Sequence, residues 1–348
     1  MRALTLLLPS LYSAVGANRV RHFMPRRKSQ TTTRSDETNS SASAAPDGIL
    51  RVGPAGWSYP DWAGYVYPSR RTKGFHEATY LAEFFDTIEI NTSFYQPLRP
   101  DHTAQWIDRV AANPRFVFTA KLWQRFTHDI RSTTSGSTTA DERAVRAGFD
   151  VLRAAKRLGA VLLQFPFSFH RATETVAYLS AVLKRFADYP LVVEVRHASW
   201  DSRETLELLH ANGAAFCNID QPIIGRSLAP SAQATSPVGY VRLHGRRYDS
   251  WFSDDATIPA HERYNYLYTA DELKPFAEAA REAAREVKKA YLYANNHFSA
   301  KSVANAAILK HDLGQSLPGE YPQEFVDRYP DLKGIVKVLP DPLLRTPS

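Results

Sequence analysis

Six short runs in this 348-residue sequence set charged or amide side chains among aliphatic neighbours. Glu89 lies between Ile88 and Ile90 with Asn91 next, Lys121 closes VFTAK, and Gln164 separates Leu163 from Phe165. Glu194 and Arg196 alternate with Val193 and Val195, Asn218 and Asp220 flank Ile219, and Arg242 and His244 flank Leu243. Brought together, these groups suit two kinds of chemistry. Glu89 and Glu194 form a carboxylate pair for general acid–base work, with His244 able to carry a proton near neutral pH. Arg196, Arg242 and Lys121 suit anions, because the planar guanidinium fork matches phosphate and carboxylate oxygens. The set therefore predicts a pocket that binds or processes a polar, anionic small ligand (a phosphorylated or sugar-like molecule), with acid–base chemistry of an isomerase or hydrolase by Glu89, Glu194 and His244 where it turns the ligand over. A nucleotide or nucleic-acid backbone is the alternative ligand.

Three other chemistries rank lower. A divalent metal could take Glu89, Glu194, Asp220 and His244 as ligands, but the three cations already balance the carboxylates and no H-E-x-x-H motif occurs. No cofactor is expected, with a divalent metal the alternative. Glycoside hydrolysis is disfavoured by Gln164 and Arg242 on strands where barrel glycosidases place carboxylates. Lys121 could form a Schiff base, although nearby carboxylates favour an ion pair.

These residues need elements that aim them at one place. Eight β-rich runs supply them: Leu50–Gly56, Asp86–Asn91, Phe116–Trp123, Ala160–Phe165, Leu191–His197, Ala214–Asp220, Gly239–His244 and Ala290–Asn296. Runs such as VLLQF and LVVEV suit strands covered on both faces, as in parallel sheets. Most intervals hold a helical pattern, including 141–158 and 171–187. Asp201 with Glu204, and Thr269 with Glu272, have the spacing of capping boxes, and Gly213 reads as a helix stop. Pro275 is expected to delay the helix after Thr269. Gln221–Pro237, rich in Pro, Ser and Gly, predicts a short or absent helix. Eight such units in roughly 265 residues match a (β/α)₈ TIM barrel, typically about 250 residues. GPAGWSYP after the first strand is not the glycine turn of a nucleotide-binding open sheet.

Strand alternation then selects an inward face. Because charged groups avoid an apolar helix layer, Glu89, Asn91, Lys121, Gln164, Glu194, Arg196, Asn218, Asp220, Arg242 and His244 are assigned inward. On the eighth strand Asn295 with His297, or Asn296, lines the interior. Cys217 falls on the face opposite Asn218 and Asp220 and reads as a buried, inert thiol. Loops after strands seven and eight often bind phosphate, which nominates Gly245, Arg246, Arg247, Ser299 and Lys301. Trp57 leads the aromatic loop residues that could stack on a ligand.

Composition narrows the rest. A single cysteine rules out a disulfide framework and cysteine-based metal knuckles. No apolar run reaches the roughly 18 residues of a membrane-spanning helix. The first 47 residues hold seven basic and three acidic groups, so +4 of the formal +7 charge belongs to them. Residues 1–47 read as a disordered basic extension with features of a targeting peptide, residues 48–315 as the barrel and 316–348 as a C-terminal extension. Cytoplasmic or mitochondrial residence is expected, with no membrane partner; the sequence leaves oligomeric state open.

The segments GWSYPDWAGYVYP, IEINTSFYQ, LLQFP, VEVRHASW, YVRLHGR and YANNHFSAKSVANA resemble, in order, the signature segments of the YecE-like family, a domain-of-unknown-function family. The resemblance runs from about Val52 to Leu309. It implies a TIM barrel similar to those of the xylose-isomerase and endonuclease-IV group, and nucleic-acid or phosphodiester processing by fold analogy only. Family motif positions here are Trp57, Tyr59, Trp62, Glu89, Asn91, Phe94, Tyr95, Gln164, Pro166, Glu194, Arg196, His197, Trp200, Arg242, His244, Gly245, Asn295, Asn296 and His297. The N-terminal extension and TTSGSTTAD at 133–141, read as a flexible insertion, lie outside the pattern.

Overall fold

The computed structural model describes residues 49–68, 71, 73–129, 138–251 and 260–339. The basic extension and most of the 133–141 insertion lie outside the described residues; the end of that insertion, from Thr138, begins a helix.

Strands and helices alternate: β1 (Ile49–Pro54), α1 (Glu77–Leu81), β2 (Thr87–Ile90), α2 (Pro100–Arg109), β3 (Val117–Lys121), α3 (Thr138–Ala154), β4 (Leu158–Gln164), α4 (Thr173–Arg185), β5 (Leu191–Glu194), α5 (Arg203–Ala211), β6 (Ala215–Asp220), β7 (Val238–Leu243), α6 (Ala270–Glu286), β8 (Lys289–Ala294) and α7 (Lys301–Asp312). The eight strands are parallel and ordered β1-β8-β7-β6-β5-β4-β3-β2. The ring closes between β1 and β2 through a bridge from Ala55 to Glu89, where the Gly56 N–H donates to the Glu89 carbonyl at 2.8 Å. Gly53 permits that approach: a Cβ there would stand 2.1 Å from the Thr87 carbonyl oxygen. This is the expected (β/α)₈ barrel.

The local signals explain most elements. Ala160–Leu163 of β4 and Val192–Val193 of β5 are buried, the inner residues in the barrel and the outer ones under helices. Thr269 and Glu272 form the capping box of α6. Two details differ from expectation. The cap of α5 is Ser202, whose hydroxyl accepts from the Thr205 N–H, and not Asp201. Pro275 sits inside α6 without delaying it, since the helix begins at Ala270. Gln221–Pro237 carries no helix, and an apolar cleft lined by Pro230, Phe276, Ala280, Ala283 and Val287 marks the place on the outer wall.

The C-terminal segment packs on the barrel. β9 (Glu320–Tyr321), α8 (Gln323–Arg328) and β10 (Lys337–Val338) bury Tyr321, Phe325, Val326 and Leu332. Tyr321 meets Phe84 at 4.5 Å, Arg328 lies 4.3 Å over Tyr65, and the Tyr329 hydroxyl donates to the Ser299 carbonyl. Among the described residues no helix is long and apolar enough to cross a membrane.

Candidate functional site

The barrel interior is built in two layers. The lower layer is phenolic: Tyr240, Tyr291 and Tyr293 fill the centre, with Tyr240 and Tyr293 5.3 Å apart and Tyr291 and Tyr293 stacked at 6.3 Å. Gly159 leaves room for the Tyr291 hydroxyl, which a Cβ would meet at 2.5 Å. Tyr240 shares the strand parity of Arg242 and His244 and links the layers, with its hydroxyl donating to Glu89 Oε2 at 2.8 Å.

Above it lies the charged layer, centred on Arg242. Its Nη2 donates to Glu89 Oε1 at 2.7 Å and its Nη1 to Glu194 Oε2 at 2.5 Å, and all three side chains are fully buried. Asn295 Oδ1 accepts from Arg242 at 3.1 Å, and the Asn295 amide donates to His244 Nδ1 at 2.9 Å. That leaves the His244 proton on Nε2, aimed at Glu194 Oε1 at 3.2 Å. Burial lowers the His244 pKa to about 3 despite Glu194, so the imidazole is neutral. For Glu194, burial alone would raise the pKa, but Arg242, His244 and Arg196 hold it well below the ordinary carboxylate range. Both carboxylates are thus occupied in holding guanidiniums. Gln164 Oε1 faces Arg242 Nη1 at 3.4 Å.

The mouth is cationic and aromatic. Arg196 donates to Glu194 Oε1 at 2.8 Å, lies 5.6 Å over Trp251 and keeps 12% of its side chain exposed. The extended chain after β5 holds it there, because the Arg196 carbonyl accepts from the Leu228 N–H at 2.7 Å. Lys121, half-buried at the end of β3, has Nζ 5.5 Å from the Phe94 ring. Among the described residues that amine makes no hydrogen bond or ion pair. Burial and Arg242 lower its pKa to about 8, against Glu89 and Glu194. His128 packs edge-on to Phe94 at 4.9 Å, and burial with Arg196 and Lys121 lowers it to about 4. Next to it, Tyr95, Trp123, Gln124, Arg125, His128 and Asp129 line a shallow crevice of about 420 Å³. On the other side Tyr59 stacks on His297 at 4.4 Å and accepts a hydrogen bond from the Asn91 amide at 3.2 Å.

The inward assignments of Glu89, Lys121, Gln164, Glu194, Arg196, Arg242, His244 and Asn295 therefore converge in one place, with Asn91 and His297 at its rim. Five candidates lie elsewhere. Asp220 points outward: β6 pairs Ile219 with inward Arg242, which turns Asn218 and Asp220 to the helix layer. Asp220 survives there because Arg246 clamps both its oxygens at 2.9 and 3.0 Å and the Tyr268 hydroxyl donates at 2.5 Å. Arg246 is consumed by that clamp and by Glu272, and so is no pocket residue. Asn218 is held on the same outer side by the Gln233 backbone, while Cys217 faces the interior with its sulfur 3.9 Å from Glu194 Oε2. Asn296 points to α7, where its amide donates to Asn305 Oδ1 at 2.7 Å. Trp57 packs outward against Trp106 at 5.1 Å and Phe118 at 6.0 Å, as part of the wall under α2.

The proposed phosphate contacts are likewise taken up by the protein. The Gly245 N–H donates to Tyr268, Arg247 faces Glu262 at 3.5 Å, and Lys301 donates to Asn265. The Ser299 N–H donates to the Asp61 carboxylate at 2.5 Å, so a carboxylate of the chain itself sits where a ligand anion was expected. With Asp220 on the outer wall, the four candidate metal ligands do not converge; among the described residues no three His, Cys, Asp or Glu side chains form a metal cradle. Sequence reasoning missed Trp251 and His128, which lie on loops without periodic pattern, and Tyr240, whose parity with Arg242 was available.

The family model "Protein of unknown function DUF72" matches residues 51–325. The fold is similar to the crystal structure of a DUF72 family protein from Thermotoga maritima, 30% identical with a TM-score of 0.67, over 77% of this chain and 100% of that one. A DUF72 family protein from Enterococcus faecalis is 25% identical with a TM-score of 0.68, over 77% of this chain and 96% of that one. A search of curated proteins returns no match.

Proposed function

The chain belongs to the DUF72 family, and from that premise and the pocket geometry we propose that it binds a small anionic molecule, phosphorylated or sugar-like, at the C-terminal mouth of the barrel. One observation carries this reading. Glu89 and Glu194 are fully buried beneath the surface of the layer, whereas Arg196 and Lys121, both positive, stand above them at the opening. The buried carboxylates fix the guanidiniums, and the charge a ligand meets is cationic. Tyr95, Trp123 and Phe94 beside it offer faces for a sugar or planar group. Two cations flanked by aromatic side chains favour a small molecule over a nucleic-acid backbone, which asks for a broad basic groove. Acid–base turnover by Glu89, Glu194 and His244 is less favoured, since each is buried and engaged.

Thermal shift with inorganic phosphate and glucose 6-phosphate tests the reading. At 100 times the dissociation constant a ligand stabilises by about 2.7 kcal/mol. Stabilisation of the wild type that disappears in Arg196→Ala supports the site. Stabilisation unchanged in both Arg196→Ala and Lys121→Ala places the ligand elsewhere.

A further inference from the structure

The anion-binding reading leaves Lys121 unexplained. Arg196 and Arg242 have carboxylate partners, and Arg246 is clamped to Asp220 on the outer wall. Among the described residues the Lys121 amine has none: it lies beyond pairing distance of Glu89 and Glu194, above Phe94 and near the Arg242 and Arg196 guanidiniums. A lysine serving only charge balance would reach a carboxylate. The comparison within the chain is Lys310, also lowered to about 8 by burial, but there the amine donates to the Phe84 carbonyl at 2.7 Å and is sealed from solvent. Lys121 is partly exposed where Lys310 is buried, its pKa of about 8 leaves a fraction of the amine neutral at pH 7, and among the described residues no hydrogen bond or ion pair holds its nitrogen.

We propose that Lys121 is the nucleophilic amine of the pocket and that its ligand is an anion bearing an aldehyde or ketone carbonyl, held at its charged end by Arg196. This rests on the anion-binding reading and adds a covalent step. The neutral Nζ lone pair adds to the carbonyl carbon as the C=O π pair moves to oxygen. A proton passes from nitrogen to that oxygen to give a carbinolamine. A second proton, from solvent at the mouth, lets the oxygen leave as water, and the nitrogen lone pair forms the C=N bond of a protonated imine. No atom is oxidised or reduced. Neighbouring Arg242 and Arg196 disfavour the ammonium form of the free lysine, so the amine is more readily presented to the carbonyl.

The test traps the imine with sodium cyanoborohydride, using glyoxylate as the anionic aldehyde and acetaldehyde as the neutral one, and maps modified lysines by peptide mass spectrometry at pH 7. Carboxymethylation by glyoxylate at Lys121 is expected at least tenfold faster than at exposed Lys333 or sealed Lys310, with Arg196→Gln slowing the glyoxylate reaction several-fold more than the acetaldehyde reaction, which loses only the share due to the raised pKa of the amine. Glyoxylate labelling of Lys121 no faster than that of Lys333 overturns the amine proposal, and stabilisation by phosphate in the same preparation would then leave the anion reading standing. Equal preference for Lys121 with both aldehydes supports the amine and overturns the anion reading.

Discussion

Arg242→Met removes the one group that touches both buried carboxylates while keeping much of its volume. In the wild type Glu194 accepts from Arg242 at 2.5 Å, Arg196 at 2.8 Å and His244 at 3.2 Å, whereas Glu89 accepts from Arg242 at 2.7 Å and Tyr240 at 2.8 Å. The substitution leaves Glu194 with Arg196, His244 and the weak Cys217 thiol as donors and Glu89 with Tyr240 alone. Breaking a buried ion pair by deleting one partner costs about 3–5 kcal/mol, because the remaining charge stays desolvated. At about 2–4 °C per kcal/mol for domains approaching this size, the melting temperature should fall on the order of 10 °C at pH 7. The pH dependence has a definite sign. In the wild type the Glu194 pKa is depressed, so its contribution is present above the ordinary value of 4.5 and lost as pH falls through the lower folded value. Without Arg242, burial pushes the same group upward. The variant's folded state then takes up a proton more readily than its unfolded state, and its deficit narrows on going from pH 7 to pH 5. Glu194→Gln added to Arg242→Met should recover part of the loss, measured as a coupling energy by urea denaturation. A melting temperature within about 2 °C of wild type, or a deficit that widens toward pH 5, would refute the view of Arg242 as the keystone of the charged layer.

Three further outcomes follow from the geometry. Arg246→Ala should lower the melting temperature by breaking the Asp220 clamp while leaving any phosphate-induced shift intact; loss of that shift would return Arg246 to the binding site. Gly53→Ala forces a Cβ to 2.1 Å from the Thr87 carbonyl and should cost at least about 1–3 kcal/mol by denaturant midpoint, an unchanged midpoint contradicting the tight β1–β2 contact. Cys217 is fully buried, and burial with Glu194 raises its thiol pKa well above 9, so a thiol reagent should label it stoichiometrically in guanidinium and barely in native protein.

Most of the fold was readable because parallel strands covered on both faces leave continuous apolar runs, and such runs recur through the chain. Strand parity then found the inward charges wherever an aliphatic residue separated two polar ones on a strand with only one possible home for charge. It failed on β6. Asp220 carries the same local signature as Glu194, but its counter-charge, Arg246, and its phenol, Tyr268, come from beyond β7 and build a polar niche inside the helix layer. No spacing within β6 announces them. Trp57 failed for a related reason: its partner, Trp106, sits on α2, so an aromatic loop residue became wall. Asn296 likewise answers to Asn305 on the following helix. The expected anion contacts after β7 and β8 were misread because the chain supplies its own acceptors, Asp61 among them.

Glu89 has two jobs that belong to different scales. Its backbone carbonyl accepts the Gly56 N–H at the seam where β1 meets β2, and its carboxylate grips Arg242 at the centre of the pocket. Breathing of the barrel wall and the state of the binding well are therefore read at one residue. The Gly56 amide becomes a natural reporter: its hydrogen exchange measures how often the seam parts, and a ligand that tightens the guanidinium layer should slow that exchange without touching the strand edge itself.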